Sequence, residues 1–255
     1  HATVDYVPPG TPLAGYDCII LPGTKNTVED LEVLQSHRTG EELRLARERG
    51  VPVIGICGGY QMLGRTIVDS GVESGTPGDY PGFGLLDVVT AFAGYRKTTV
   101  QVRRRATGPG PILSAMGEVE GYEIHMGRTE GEAQSFAWIG QEGGEASPDG
   151  AWRENVYGTY LHGLFDSPEV ARALARALFA AKGLEGARVD QIATMTYDSF
   201  MPTPALDRLW LRERPFGAGM AASLLAYKPQ LLLAVGLLWL LRWRKDWRAL
   251  LGLGL

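Results

Sequence analysis

The stretch Val51-Pro-Val-Ile-Gly-Ile-Cys-Gly-Gly-Tyr-Gln-Met-Leu-Gly64 is an apolar run that stops at a cysteine, followed at once by an amphipathic pattern. A short, unalternating run of Val and Ile suits a strand buried on both faces, and such strands belong to parallel sheets. The turn between that strand and the helix predicted after it falls on Cys57, Gly58 and Gly59. Glycine supplies the unusual backbone angles of so tight a corner and leaves room for a ligand to come close. Such a corner presents the Cys57 thiol at the carboxyl edge of the sheet, where ligands of α/β folds bind.

The flanking segments agree with this. Residues 16–21, "YDCIIL", read as a buried parallel strand ending at Pro-Gly, with Cys18 protonated and inert inside it. Thr27 to Arg49 reads as helix, in two pieces broken near Arg38 to Gly40, with Gly50 as its C-terminal cap. Strand, helix, strand imply a βαβ unit, so the expected fold is α/β, a mostly parallel sheet flanked by helices. From Gly82 to Arg105 the pattern alternates, which predicts antiparallel strands added to the sheet's edge. Gly and Pro at 108–111 predict a turn, and Gly140 to Gly150 a polar loop. Asn155 to Tyr160 reads as a strand, and Ser167-Pro168-Glu169 opens a helix running to about Ala181.

Composition limits the function classes. The chain has 255 residues, 45% of them apolar and 21% charged, in the range of a globular protein. Its net charge of −4 offers no footprint for nucleic acid, and the one basic cluster, Arg103-Arg104-Arg105, reads as a solvated strand end or loop. Two cysteines are too few for a disulfide framework, which points to a reducing, cytoplasmic setting. Neither Cys-x-x-Cys nor His-Glu-x-x-His occurs, so no metal site is expected. The sequence opens at His1 without the charged-then-apolar pattern of a secretory signal, and we expect it to be a piece of something longer.

A thiol at a strand–helix corner has backbone N–H groups behind it to stabilise an oxyanion, and the helix dipole favours its thiolate. It also needs a base that takes the proton and returns it to a leaving group, which near neutral pH is a task for histidine. His1 is terminal and His37 lies in a charged helical segment; both read as surface residues. His162, in "YGTYLHGLFD", follows a predicted strand and points over the same edge as Cys57, so it is the expected base. His125, in "GYEIHMGRT", could also reach the site, although a structural hydrogen bond suits it equally.

"GICGGYQMLG" closely resembles the nucleophile motif of class I glutamine amidotransferases. The resemblance implies that Cys57 attacks the side-chain amide of glutamine and that Gln61, by itself readable as a solvated helix position, helps hold that substrate. "LPGTKNTVEDL" at 21–31, "DYPGFGLLDVVT" at 79–90, "GYEIHMGRT" at 121–129 and "YGTYLHGLFD" at 157–166 narrow it further. Together they resemble the amidotransferase half of the cobyric acid synthases, which serve corrinoid biosynthesis. The likeness implies an oxyanion hole from the N–H groups of Gly58 and Gly23. Typical class I amidotransferases have a glutamate two residues after the catalytic histidine; Leu164 stands there, which implies a Cys–His pair in place of a triad.

The resemblance also implies a synthetase half that uses ATP and Mg2+ to activate a corrinoid carboxylate. This sequence has no Gly-x-x-x-x-Gly-Lys-Ser/Thr, so that half is expected outside it. The rivals are an amidotransferase with another acceptor, as in a,c-diamide synthases or peptidoglycan-precursor amidation, and an idle scaffold. We expect 1–12 to be a remnant of an upstream domain or a linker, 13–214 the amidotransferase domain and 215–255 an apolar, basic, helical tail of uncertain origin. The tail weakly resembles a fragment of membrane glycosyltransferases, and its readings are a fused segment, a membrane or partner helix, or an extra packed helix pair.

Overall fold

The computed structural model describes residues 4–95, 98–131, 136–138 and 148–184. The central sheet runs in the order β1-β2-β11-β10, from β1 (Ile19–Leu21), β2 (Val53–Ile56), β10 (Ala151–Arg153) and β11 (Val156–Thr159). β2 pairs parallel with both β1 and β11, and β10 closes the edge antiparallel. Val53 and Ile54 are almost wholly buried, as expected of a strand covered on both faces. β1 is shorter than the expected 16–21, because Tyr16, Asp17 and Cys18 stay outside the ladder, so Cys18 lies before the strand rather than inside it, and Asp17 pairs with Lys182 at 2.6 Å on the surface.

Between β1 and β2 the chain forms α1 (Thr27–Ser36) and α2 (Thr39–Glu48). The break falls on Arg38, whose positive φ of 60° turns the chain between the two. Gly50 caps α2 at φ 78°, donating its N–H to the Arg47 carbonyl, a role that needs a left-handed residue. α3 (Gly58–Leu63) follows β2 directly. Leu31, Leu43, Leu63 and Val53 are among the residues packed in the core around this βαβ unit.

The middle of the chain departs from expectation. It does not extend the central sheet but builds two further four-stranded sheets. One has the order β4-β3-β5-β8, from β3 (Thr66–Ser70), β4 (Pro77–Pro81), β5 (Val88–Phe92) and β8 (Arg128–Gly131). The other has the order β12-β7-β6-β9, from β6 (Thr98–Ala106), β7 (Glu118–His125), β9 (Phe136–Trp138) and β12 (Leu161–His162). Asp69 explains why the loop after β3 is ordered: its carboxylate accepts from the N–H groups of Gly71, Val72, Glu73 and Ser74. Those bonds outweigh burial, the largest opposing influence, and hold its pKa below the usual carboxylate range.

The arginine cluster also needs correction. All three residues lie in β6, and the strand's two-residue period puts Arg104 on the same inward face as Val102 while Arg103 and Arg105 face out. Arg104 is buried against Glu123 of β7. α4 (Leu113–Met116) and α5 (Pro168–Ala181) pack together beside this sheet. Ser167 is the N-cap of α5 and Pro168 opens it.

Among the described residues the first buried side chain is Leu13, whose N–H donates to Glu42 at 2.8 Å, while residues 4–10 are exposed. The loop centred on 140–147 and the tail from 215 lie outside the described residues. No described helix is long and apolar enough to cross a membrane.

Candidate active site

Cys57 sits at the tip of β2 as the N-cap of α3, with φ 53° and ψ −111°. Few residues other than glycine adopt a positive φ, and where they do the surrounding structure must hold them there. Here the hold is visible. The Cys57 N–H donates to the Thr159 carbonyl at 2.8 Å, its carbonyl accepts from Gln61 N–H, and Gly59 N–H donates to the Pro22 carbonyl at 3.1 Å. Gly59 permits that last approach, since a β-carbon there would stand 2.1 Å from the Leu21 carbonyl oxygen.

The three segments singled out from the sequence converge on the thiol. A β-carbon built on Gly23 would stand 3.1 Å from Cε1 of His162 and 3.4 Å from Cβ of Cys57, so His162, Cys57 and the Pro22–Thr24 loop share one small space. Gly58 is pressed against that loop as well, its β-carbon position lying 3.0 Å from the backbone nitrogen of Thr24. Leu164 is buried at 2% exposure, so the position two residues after His162 provides apolar packing and no carboxylate.

The thiol itself is 6% exposed and donates to the Ile124 carbonyl at 3.4 Å. Burial pushes its pKa up to about 11, the N–H of Gly58 pulls the other way, and the field of Asp149 adds to the rise. The helix dipole anticipated to favour the thiolate comes from a helix of only six residues, and desolvation outweighs it. Burial thus favours the protonated thiol over the thiolate at this corner.

Gln61 lies behind the thiol at 2% exposure. Its Nε2 donates to the Met126 carbonyl at 2.9 Å and to the Tyr160 hydroxyl at 3.0 Å, and its Oε1 accepts from Thr27 at 3.1 Å. The carboxamide thus ties α1, α3 and the strand end at Tyr160 together. His125 belongs to the same buried layer: its ring stacks on Tyr160 with centroids 3.7 Å apart, Nδ1 lies 3.3 Å from the Gly127 carbonyl and Nε2 3.8 Å from Glu123. Burial disfavours the Glu123 carboxylate, but the His125 hydrogen bond and Arg104 outweigh it and hold the pKa below its ordinary value. His125 is placed as a strut of the wall, with Glu123, Gly127 and Tyr160 as its partners.

Sequence reasoning missed Asp149, which falls in what reads as a polar loop. It is almost completely buried, accepts from Thr159 Oγ1 and receives Tyr160 N–H at 3.1 Å. It thereby fixes the strand end whose Thr159 carbonyl clamps Cys57. Burial, above all, raises its pKa, with Thr159 and Arg104 opposing and Glu123 reinforcing the rise. A carboxyl raised on folding contributes fully below its unfolded-state pKa and loses stability as pH rises towards its folded-state value. Asp149→Asn, which keeps the shape without that titration, is expected to gain stability relative to the wild type as pH rises from the ordinary carboxylate value of about 4 towards the raised folded-state value. Urea-unfolding midpoints of both proteins across that range check this; a constant gap would contradict it.

Comparison with known proteins shows the family to which the chain belongs. The family model described as "CobB/CobQ-like glutamine amidotransferase domain" matches residues 1–170. The chain belongs to that family. Among the amidotransferase's relatives, a protein of Methanoculleus marisnigri bearing the name "Probable cobyric acid synthase" is 69% identical over 184 residues, covering 72% of this chain and 36% of that protein. A Methanosphaerula palustris protein of the same name is 54% identical over 198 residues, 78% of this chain and 39% of the relative. A third, from Methanosarcina mazei, is 48% identical over 185 residues, 71% of this chain and 36% of the relative. The amidotransferase chain therefore spans little more than a third of the length of these relatives.

Proposed function

We propose that this chain is the glutamine-hydrolysing portion of a cobyric acid synthase, releasing ammonia at Cys57 for amidation of a corrinoid carboxylate. The observation that carries the reading is the convergence of Cys57, His162 and Gly23 at a strained strand–helix corner. The names of the relatives support the corrinoid acceptor. The ATP and Mg2+ that such an amidation needs belong to the synthetase portion, outside this sequence.

In this mechanism His162 takes the proton from Cys57 as sulfur attacks the carboxamide carbon of glutamine. Negative charge moves to the amide oxygen, where the N–H groups of Gly58 and Gly23 stabilise it. The intermediate collapses as His162 returns the proton to nitrogen; the C–N bond breaks, ammonia leaves, and a thioester remains on Cys57. Water, deprotonated by His162, cleaves the thioester and releases glutamate with the free thiol. Gln61 acts by holding the pocket wall against which the substrate side chain lies.

A glutamine analogue bearing a diazoketone tests the reading, since it alkylates only a thiol that binds and activates it. Peptide mass spectrometry is expected to find the adduct on Cys57 and glutamine to protect against it. Cys18, whose thiol burial pushes up to about 12, should remain unmodified. Modification of Cys18 in preference to Cys57, or no glutamine protection, would overturn the assignment.

A further inference from the structure

One strand, β7, touches both reacting groups. The Ile124 carbonyl receives the Cys57 thiol proton at 3.4 Å. Two residues earlier in the same strand, Tyr122 stacks on His162 with ring centroids 5.1 Å apart and planes 6° from parallel. The stack is built into the backbone, because His162 and Tyr122 are directly opposed residues of the antiparallel β12–β7 pair. Gly121 allows that pairing to be close: a β-carbon there would stand 2.2 Å from the His162 carbonyl oxygen and 2.8 Å from Cδ1 of Leu161. Tyr122 is 38% exposed, so its ring covers the imidazole and still borders solvent.

We propose that Tyr122 is a positioning residue for the base, a plate that fixes the plane of the His162 imidazole above Cys57. A histidine at a strand end rotates about two side-chain torsions, and only a narrow range of ring planes aims a nitrogen at the sulfur. An offset parallel stack removes the wrong orientations, and the negative face of the phenol ring favours the imidazole when it carries the proton. Where the position two residues after the base is a buried leucine, this fixes the ring by surface contact on its face. Ile124 and Tyr122 together make β7 a rail that holds nucleophile and base in mutual register, and the inference rests on the reading of Cys57 and His162 given above.

The test compares the wild type with Tyr122→Phe and Tyr122→Leu in the full chain. Glutamate release gives kcat and KM where the chain turns over. Iodoacetamide labelling of Cys57, followed by mass spectrometry with Cys18 as internal reference, reports thiol activation without any substrate. Misplacing a catalytic group by a fraction of its reach costs roughly 10- to 100-fold. The Leu variant is therefore expected to lose about that factor in kcat and in Cys57 labelling, with KM within about twofold. Phe, which keeps the plate, is expected to restore most of the rate. Equal labelling in the Leu variant and the wild type would overturn the proposal. So would an equal loss in Phe and Leu, which would make the hydroxyl the active part, or a change confined to KM, which would make Tyr122 a substrate contact. A rise in Cys18 labelling along with the loss at Cys57 would also overturn it, by showing general loosening. A wild type whose Cys57 resists both iodoacetamide and the diazoketone would instead remove the reading of the site itself.

Discussion

Cys57→Ser is expected to reduce glutamate release by at least about a thousandfold while leaving the fold unchanged. The substitution exchanges sulfur for oxygen in a side chain that is almost fully enclosed, and the smaller atom fits without displacing a neighbour. A serine hydroxyl can still donate to the Ile124 carbonyl, so the corner keeps its hydrogen bonds. What changes is the nucleophile. Burial already pushes the thiol up to about 11, and an alcohol in the same enclosure holds its proton far more tightly. His162 would have to remove that proton with the buried side chain of Leu164, and no carboxylate, two residues on. Thermal midpoints within a few degrees, together with loss of turnover and of diazoketone labelling, are the expected result. Cys18→Ser is the control: that residue is half-buried just before β1, and its replacement should leave turnover within about twofold. Undiminished glutamate release from the Cys57 variant would remove the covalent mechanism.

Much of the corner that carries this chemistry could be read from the sequence because its causes are local. The unalternating Val and Ile run, the glycines after Cys57 and the Arg38 break between two helices each act within a few residues. The same holds for Ser167-Pro168, and α5 begins and ends where the pattern places it. The extra sheets were not legible, because β5 pairs parallel with β3 but antiparallel with β8, and that choice is made between residues far apart in the chain. Arg104 was misread although its signal was present: the alternation that predicted a strand over "TTVQVRRR" also places its middle arginine beside Val102 on the buried face. Asp149 and Tyr122 carry no local signal. Their roles exist only because Thr159 and His162 are brought to them by the third dimension.

Gly59→Ala is expected to be among the most damaging single-methyl changes in the described structure. The added carbon would lie 2.1 Å from the Leu21 carbonyl oxygen and 2.7 Å from its carbon. Those are backbone atoms of β1, paired with β2 across the central sheet, so they have no rotamer through which to move aside. Relief must come from lifting α3 off the sheet, which breaks the Gly59 to Pro22 hydrogen bond and withdraws the Gly23 loop from Cys57. Overpacking of this kind costs about 3 kcal/mol. For a domain of this size that lowers the thermal midpoint by roughly 6–12 °C. Alanine's better helix propensity recovers only about 1 kcal/mol, so the clash decides the sign. Gly15→Ala is the matched control, because nothing lies within 4 Å of its added carbon, and it should change stability by less than about 0.5 kcal/mol. Thermal unfolding of both variants, with diazoketone labelling of whatever Gly59→Ala remains folded, separates lost stability from lost alignment. If the Gly59 variant melts with the wild type and labels as fast, then α3 does not need its close seat on β1, and the account of how the corner holds Cys57 is wrong.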